Sequence, residues 1–141
     1  MPGLSLLISG EPKPDLVPVL ARELTELTCA VLDKQQQSTT VLVDFLPRAQ
    51  WFIHNRSLAE LGKDAFRLQV TVTDETTTKD QKARFQREAY ALLAERIGNL
   101  HSHSNVHLID CRAGTYSYAG VTQEYRYQHP PGLRLRDRER A

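Results

Sequence analysis

Two strand–helix–strand patterns follow one another in this chain, and that doubling limits its fold more than any other feature. Leu4–Ser9 is apolar enough for a buried strand. Leu16, Leu20, Leu24, Leu27 and Val31 then recur at helical spacing, which predicts a helix over 14–33. Pro14 suits a first turn, and Asp15 and Glu23 complement the positive end of the helix dipole; Pro18 moves the expected start toward residue 17. After the polar connection 35–38, the β-branched run 39–46 reads as a strand ended by Pro47. The plan repeats. Residues 66–73 alternate apolar and polar, Thr78 and Asp80 offer N-cap chemistry for a helix over 79–97, and 105–110 is a fourth strand. The second helix presents Phe85, Ala89, Leu92, Leu93 and Ile97 on one face.

The halves superpose at an offset of 64, which sets Leu4 on Leu68, Arg48-Ala49 on Arg112-Ala113 and Phe52 on Tyr116. The helix faces fit at 65, with Leu20, Leu24 and Leu27 on Phe85, Ala89 and Leu92, so the loops are expected to carry compensating slips. A β-α-β unit makes two parallel strands with a right-handed crossover. Two units side by side give an α/β (α+β) fold: a four-stranded mixed sheet with both helices on one face. Leu4, Leu6, Ile8, Phe66, Leu68, Val70 and Val72 are expected beneath the helices. Ser5, Leu7, Ser9, Arg67, Gln69, Thr71 and Thr73 fall on the other face, too mixed for a core and suited to burial between subunits.

A length of 141 residues suits one domain with a real core. A net charge of +1 gives no electrostatic case for nucleic acid or an anionic membrane. A ferredoxin-like nucleic-acid-binding domain would want exposed aromatics on the central strands, which offer only Phe66. No apolar run approaches the ~20 residues of a membrane span, and the first residues lack a secretory pattern. Cys29 and Cys111 lie far apart; a reduced cytoplasmic chain is the simpler reading, with a disulfide as the alternative. His101-Ser102-His103 lacks a third ligand at useful spacing, so no metal site is expected.

Met1-Pro2 runs directly into the first strand. Loss of Met1 would leave Pro2 as a secondary amine at the head of a buried strand. A free α-amino group has a pKa near about 7.7–8.0, and burial lowers it further, which suits a general base at neutral pH. Phe66 stands at the equivalent place in the second half, is internal, and offers no free amine, so such a site would exist once per chain.

With Met1-Pro2, the doubled β-α-β plan, the segment 47–55 and its counterpart 112–120, the chain over 2–125 resembles the tautomerase superfamily. That family includes 4-oxalocrotonate tautomerase, 5-carboxymethyl-2-hydroxymuconate isomerase, macrophage migration inhibitory factor and the chloroacrylic acid dehalogenases. The resemblance implies a single domain over 2–125 with pseudo-repeats 2–56 and 66–120, a homotrimer whose subunits complete each other's pockets, and no cofactor. It implies a tautomerase or isomerase with Pro2 as base, acting on a small unsaturated 2-oxo acid or enol. A catalytically idle or promiscuous binding trimer is the alternative.

The family's usual arginines fall here on Pro12, Val41, Val72 and Glu75, which argues against strict 4-oxalocrotonate tautomerase chemistry and against dehalogenation. Lys34 falls near the active-site lysine of migration inhibitory factor; His107 falls where that protein and a dehalogenase carry an active-site tyrosine, which makes it the candidate catalytic donor to a developing oxyanion. Tyr118 replaces a water-activating glutamate. Arg48, Arg56, Arg112 and Arg126 are spare cations for a carboxylate, and Phe52 is the aromatic wall. Residues 126–141 alternate in charge behind Pro130-Pro131-Gly132 and read as a tail or an arm over a neighbour.

Overall fold

The computed structural model describes residues 2–130. Its main sheet has four strands: β1 (Gly3–Ser9), β2 (Thr40–Leu46), β5 (Phe66–Thr73) and β6 (Asn105–Cys111). Their order is β2-β1-β5-β6. Each half pairs in parallel, β1 with β2 and β5 with β6, and the halves meet antiparallel at β1 and β5. Helices α1 (Leu16–Leu32) and α3 (Lys79–Ile97) pack against each other and share one core with the sheet. This is the mixed, one-face-covered sheet that the doubled pattern implies.

The core follows from strand alternation. Leu4, Leu6 and Ile8 of β1 and Phe66, Leu68, Val70 and Val72 of β5 are buried under Leu20, Leu24, Phe85, Ala89 and Leu93 of the helices. Leu92 and Ile97 pack at its margin. The α3 start is a capping box: Thr78 Oγ1 accepts from Gln81 N–H, and the Gln81 side chain accepts from Thr78 N–H. Asp80 lies in the first turn rather than at the cap. Pro18 does not delay α1, which begins at Leu16; as its third residue Pro18 sits where a backbone N–H has no intrahelical acceptor to lose.

After β2 the chain makes a 3-10 turn (Arg48–Gln50) and a hairpin, β3 (Phe52–Ile53) and β4 (Arg56–Ser57), closed by His54 and Asn55 at φ 50° and 62°. Two successive left-handed residues match the right-handed twist of the strands they join. The short helix α2 (Leu58–Leu61) follows. The second half repeats this: a 3-10 turn (Ala113–Thr115), β7 (Ser117–Tyr118), β8 (Val121–Thr122) and α4 (Gln123–Gln128). Each repeat therefore runs past 56 and past 120, and α4 crosses the 125/126 boundary. Residues 131–141 of the expected tail lie outside the described residues.

The repeat register differs from expectation in one respect. Gly3 pairs with Thr40 and Arg67 with Asn105, so the first strands match at 64 and the second strands at 65. One residue is added between the end of β5 and the buried face of α3, from Thr73 to Phe85 against Ser9 to Leu20, and no later slip restores the offset of 64. Leu58 N–H reaches Trp51 O just as Gln123 N–H reaches Tyr116 O. Trp51 is therefore the counterpart of Tyr116, Phe52 that of Ser117, and Arg48 that of Ala113, correcting the pairings expected at 64. The cause is physical: a loop absorbs an inserted residue, whereas β6 must keep its pairing and cannot.

Candidate active site

Pro2 is buried at the head of β1, and its carbonyl accepts from Thr40 N–H at 3.2 Å. Next to it, a Cβ built on Gly3 would stand 3.7 Å from the Tyr116 hydroxyl. That contact places a phenol one residue from Pro2. Burial, and then the neighbouring Cys111, push the Tyr116 pKa up, so at neutral pH the ring is a hydrogen-bond donor. Tyr116 escaped notice in the sequence because the 64 offset made it the partner of Phe52, an aromatic wall.

Lys34 comes to the same end of the sheet. Its Nζ donates to Thr76 Oγ1 at 2.8 Å, and Thr76 Oγ1 donates to Thr73 O at 2.5 Å. Thr73 ends β5, and Thr71 of that strand pairs with Gly3. Burial lowers the Lys34 pKa, partly offset by Asp33. Arg112 follows β6, whose last residue Cys111 pairs with Thr73, so it too lies at this end. It is exposed, and its side chain has no hydrogen-bond or ion-pair partner among the described residues.

The other expected site residues lie elsewhere in a single chain. Arg48 is not a spare cation. Its Nε and Nη2 grip the two oxygens of Asp64 at 2.7 and 3.1 Å, and Asp64 also accepts from Ser9 Oγ at 2.8 Å. This pair ties the turn after β2 to the far end of β1. Burial pushes the Asp64 carboxyl up, but the bonds from Arg48 and Ser9 and the charges of Arg48 and Lys13 outweigh it, leaving the pKa lowered. Arg56 pairs loosely with Glu60 at 3.9 Å. The Arg126 guanidinium lies 3.5 Å over the Tyr118 ring and donates to Tyr118 O at 2.9 Å, so both serve the second hairpin.

His107 stands mid-β6 opposite Gln69, and Gln69 opposite Ser5. With strands about 4.8 Å apart and about 3.3 Å of rise per residue, its backbone is about 14 Å from that of Pro2. His107 and Phe52 instead line a concavity of about 910 Å³ on the helix-free face of the sheet, with Trp51, Arg67, His101 and His103. Phe52 (58% exposed), Leu42 (62%), Ile109 (40%) and Tyr118 (40%) leave that face and the two hairpins apolar and uncovered in the single chain. Among the described residues no group of His, Cys, Asp and Glu side chains could hold a metal ion. No described helix is long and apolar enough to cross a membrane.

This geometry is that of a known architecture. Compared with solved structures, the chain has the double-length tautomerase fold of the fused 4-OT proteins. A fused 4-OT solved as an asymmetric trimer is 14% identical, with a TM-score of 0.76 over 87% of this chain and 97% of that one. Pt0534, solved after inactivation by 2-oxo-3-pentynoate, is 13% identical with a TM-score of 0.76 over 87% and 98%. A macrophage migration inhibitory factor-like protein from Entamoeba histolytica is 12% identical with a TM-score of 0.67 over 86% and 97%. By sequence, the chain matches no family model and no curated protein.

Proposed function

We propose that this chain is a cofactor-independent keto–enol tautomerase that uses Pro2, freed by loss of Met1, as its base on a small unsaturated 2-oxo acid. The observation that carries this reading is the grouping at one sheet end: a buried Pro2, the Tyr116 hydroxyl beside Gly3, and Lys34. The amine takes the enol hydroxyl proton, the electron pair shifts to the neighbouring carbon, and the prolinium returns the proton to that carbon. Tyr116 donates to the oxygen on which charge develops, and Lys34 and Arg112 attract the carboxylate. Burial disfavours the charged form of such an amine, which leaves more of it free to act as a base.

The working unit in this reading is a homotrimer, the state in which several fused 4-OT structures of this fold were solved. It covers Leu42 and Ile109, and it is the only way that His107, Phe52 and Tyr118 join the reaction, across an interface to the Pro2 of a neighbouring copy. Both cysteines are free, in keeping with a reduced cytoplasmic setting. The second reading is a catalytically idle or promiscuous trimer that binds without turnover. The engagement of Arg48 by Asp64 favours it, because that removes one cation from any carboxylate grip.

The deciding experiment is ketonisation of phenylenolpyruvate by wild-type protein and by Pro2→Ala, with intact mass to confirm loss of Met1. Activity that collapses in the variant supports the proline base. No activity in processed wild type overturns it and leaves the binding trimer. Equal activity in both moves the base elsewhere.

A further inference from the structure

The two halves share one backbone plan, so the Pro2 end has a counterpart. At an offset of 64, Pro2 falls on Phe66 and Gly3 on Arg67; at 65, Tyr116 falls on Trp51. All three counterparts, Phe66, Arg67 and Trp51, line the concavity of about 910 Å³. The second half therefore has a pocket at this end and no free amine. The backbone nitrogen of Phe66 is an amide that donates to Ser104 Oγ at 3.3 Å.

What fills the counterpart is cationic and donor-rich. Arg67 stands exposed on the sheet face, and its guanidinium has no hydrogen-bond or ion-pair partner among the described residues. His101 Nδ1 accepts from His103 N–H at 3.1 Å, which puts the proton of a neutral ring on Nε2 as a donor. The His101 and His103 rings are 5.7 Å apart, and both line the pocket with His54 and His107. No Asp or Glu lines it. Asp44 lies across Leu7 from Arg67 and lines a neighbouring concavity with it, and its Oδ1 accepts from Phe45 N–H. Trp51 supplies a flat apolar wall, while the Phe66 ring turns into the core against Tyr90.

We infer that this pocket is a second, non-catalytic binding site for a flat carboxylate, with Arg67 holding the carboxylate and Trp51 packing on the planar body. A guanidinium meets a carboxylate bidentately, and an aromatic wall selects a conjugated ligand over a bulky one. The site does not rest on Pro2 chemistry.

Trp51 is the only tryptophan in the chain, so its emission reports on this pocket. The test is titration of the full-length protein, in its native assembly, with benzoate and with the neutral isostere benzamide. The expected result is a saturable change with benzoate, at least about tenfold weaker with benzamide and in Arg67→Gln, since a charge-assisted bond is worth about 1.5–3 kcal/mol. The same response is expected to persist in Pro2→Ala. A response lost in Pro2→Ala and kept in Arg67→Gln places the ligand at the proline end and overturns the inference. So does the absence of any saturable response, the result expected if a neighbouring copy fills the pocket. Arg67 is exposed, so Arg67→Gln leaves the core intact, and an unchanged circular dichroism spectrum and thermal melt in it confirm a native protein.

Discussion

The Pro2 end and the Phe66 end are built on the same strands, turns and hydrogen bonds, yet they hold opposite chemistry. At one, a residue that can become a chain terminus lies beside a phenol and a partly buried lysine. At the other, the equivalent nitrogen is locked in an amide bonded to Ser104, and the neighbours are Arg67, Trp51 and imidazoles. The difference teaches that the fold supplies two equivalent strand starts, of which only the first carries a residue whose amine the loss of Met1 would free. A proline in the second position would not make a base there, because an internal proline has no free amine.

Five substitutions break or sharpen that comparison. The largest effect is expected from Pro2→Ala: a loss of about 10²–10⁴ in kcat/KM for phenylenolpyruvate, the usual share of a positioned general base, with the Trp51 titration unchanged. Next is the core that the two halves share. Phe85→Ala should cost about 3–5 kcal/mol in chemical denaturation, and its counterpart Leu20→Ala about 2–5 kcal/mol, since both side chains are fully buried in one cluster. A cost confined to one of the two would mean that the halves unfold separately.

Tyr116→Phe tests the phenol at the first end. A fall of about tenfold in kcat with little change in KM is expected, one neutral hydrogen bond being worth about 1 kcal/mol. No change would remove Tyr116 from the reaction. The smallest effect is expected at Asp64. Its pKa is lowered in the folded protein, so its contribution is present above the unfolded value of about 3.9 and is lost as pH falls through the folded value. Asp64→Asn should therefore cost about 1–2 kcal/mol at pH 7, modest because Arg48 is half exposed, and should flatten the acid limb of stability against pH. Thermal melts across pH check both.

Much of the fold was legible because its signals are local. The helix over 79–97 follows from Thr78 and one apolar stripe, and the inward faces of β1 and β5 follow from strict alternation. The site was less legible. Pro2 and Lys34 fall at one end of the sheet, but Arg48 is held by Asp64, sixteen residues away in the chain and adjacent only in the fold. Tyr116 was masked by a single inserted residue, because sequence cannot tell which loop absorbs a slip until strand pairing chooses.

The sequence by itself determined the two β-α-β units, the core residues, and the fact that only the first half begins with a proline that can become a terminus. These are properties of periodicity and of covalent position. Only the tertiary structure decided that the halves meet antiparallel through β1 and β5, which turns the equivalent strand starts to opposite ends of one sheet. It also decided that Arg48 is spent, that Tyr116 stands beside Gly3, and that Arg67 is left unpaired over an open pocket. The physical reason is that a side chain's role depends on which partner reaches it first, and partners distant in sequence are set by packing.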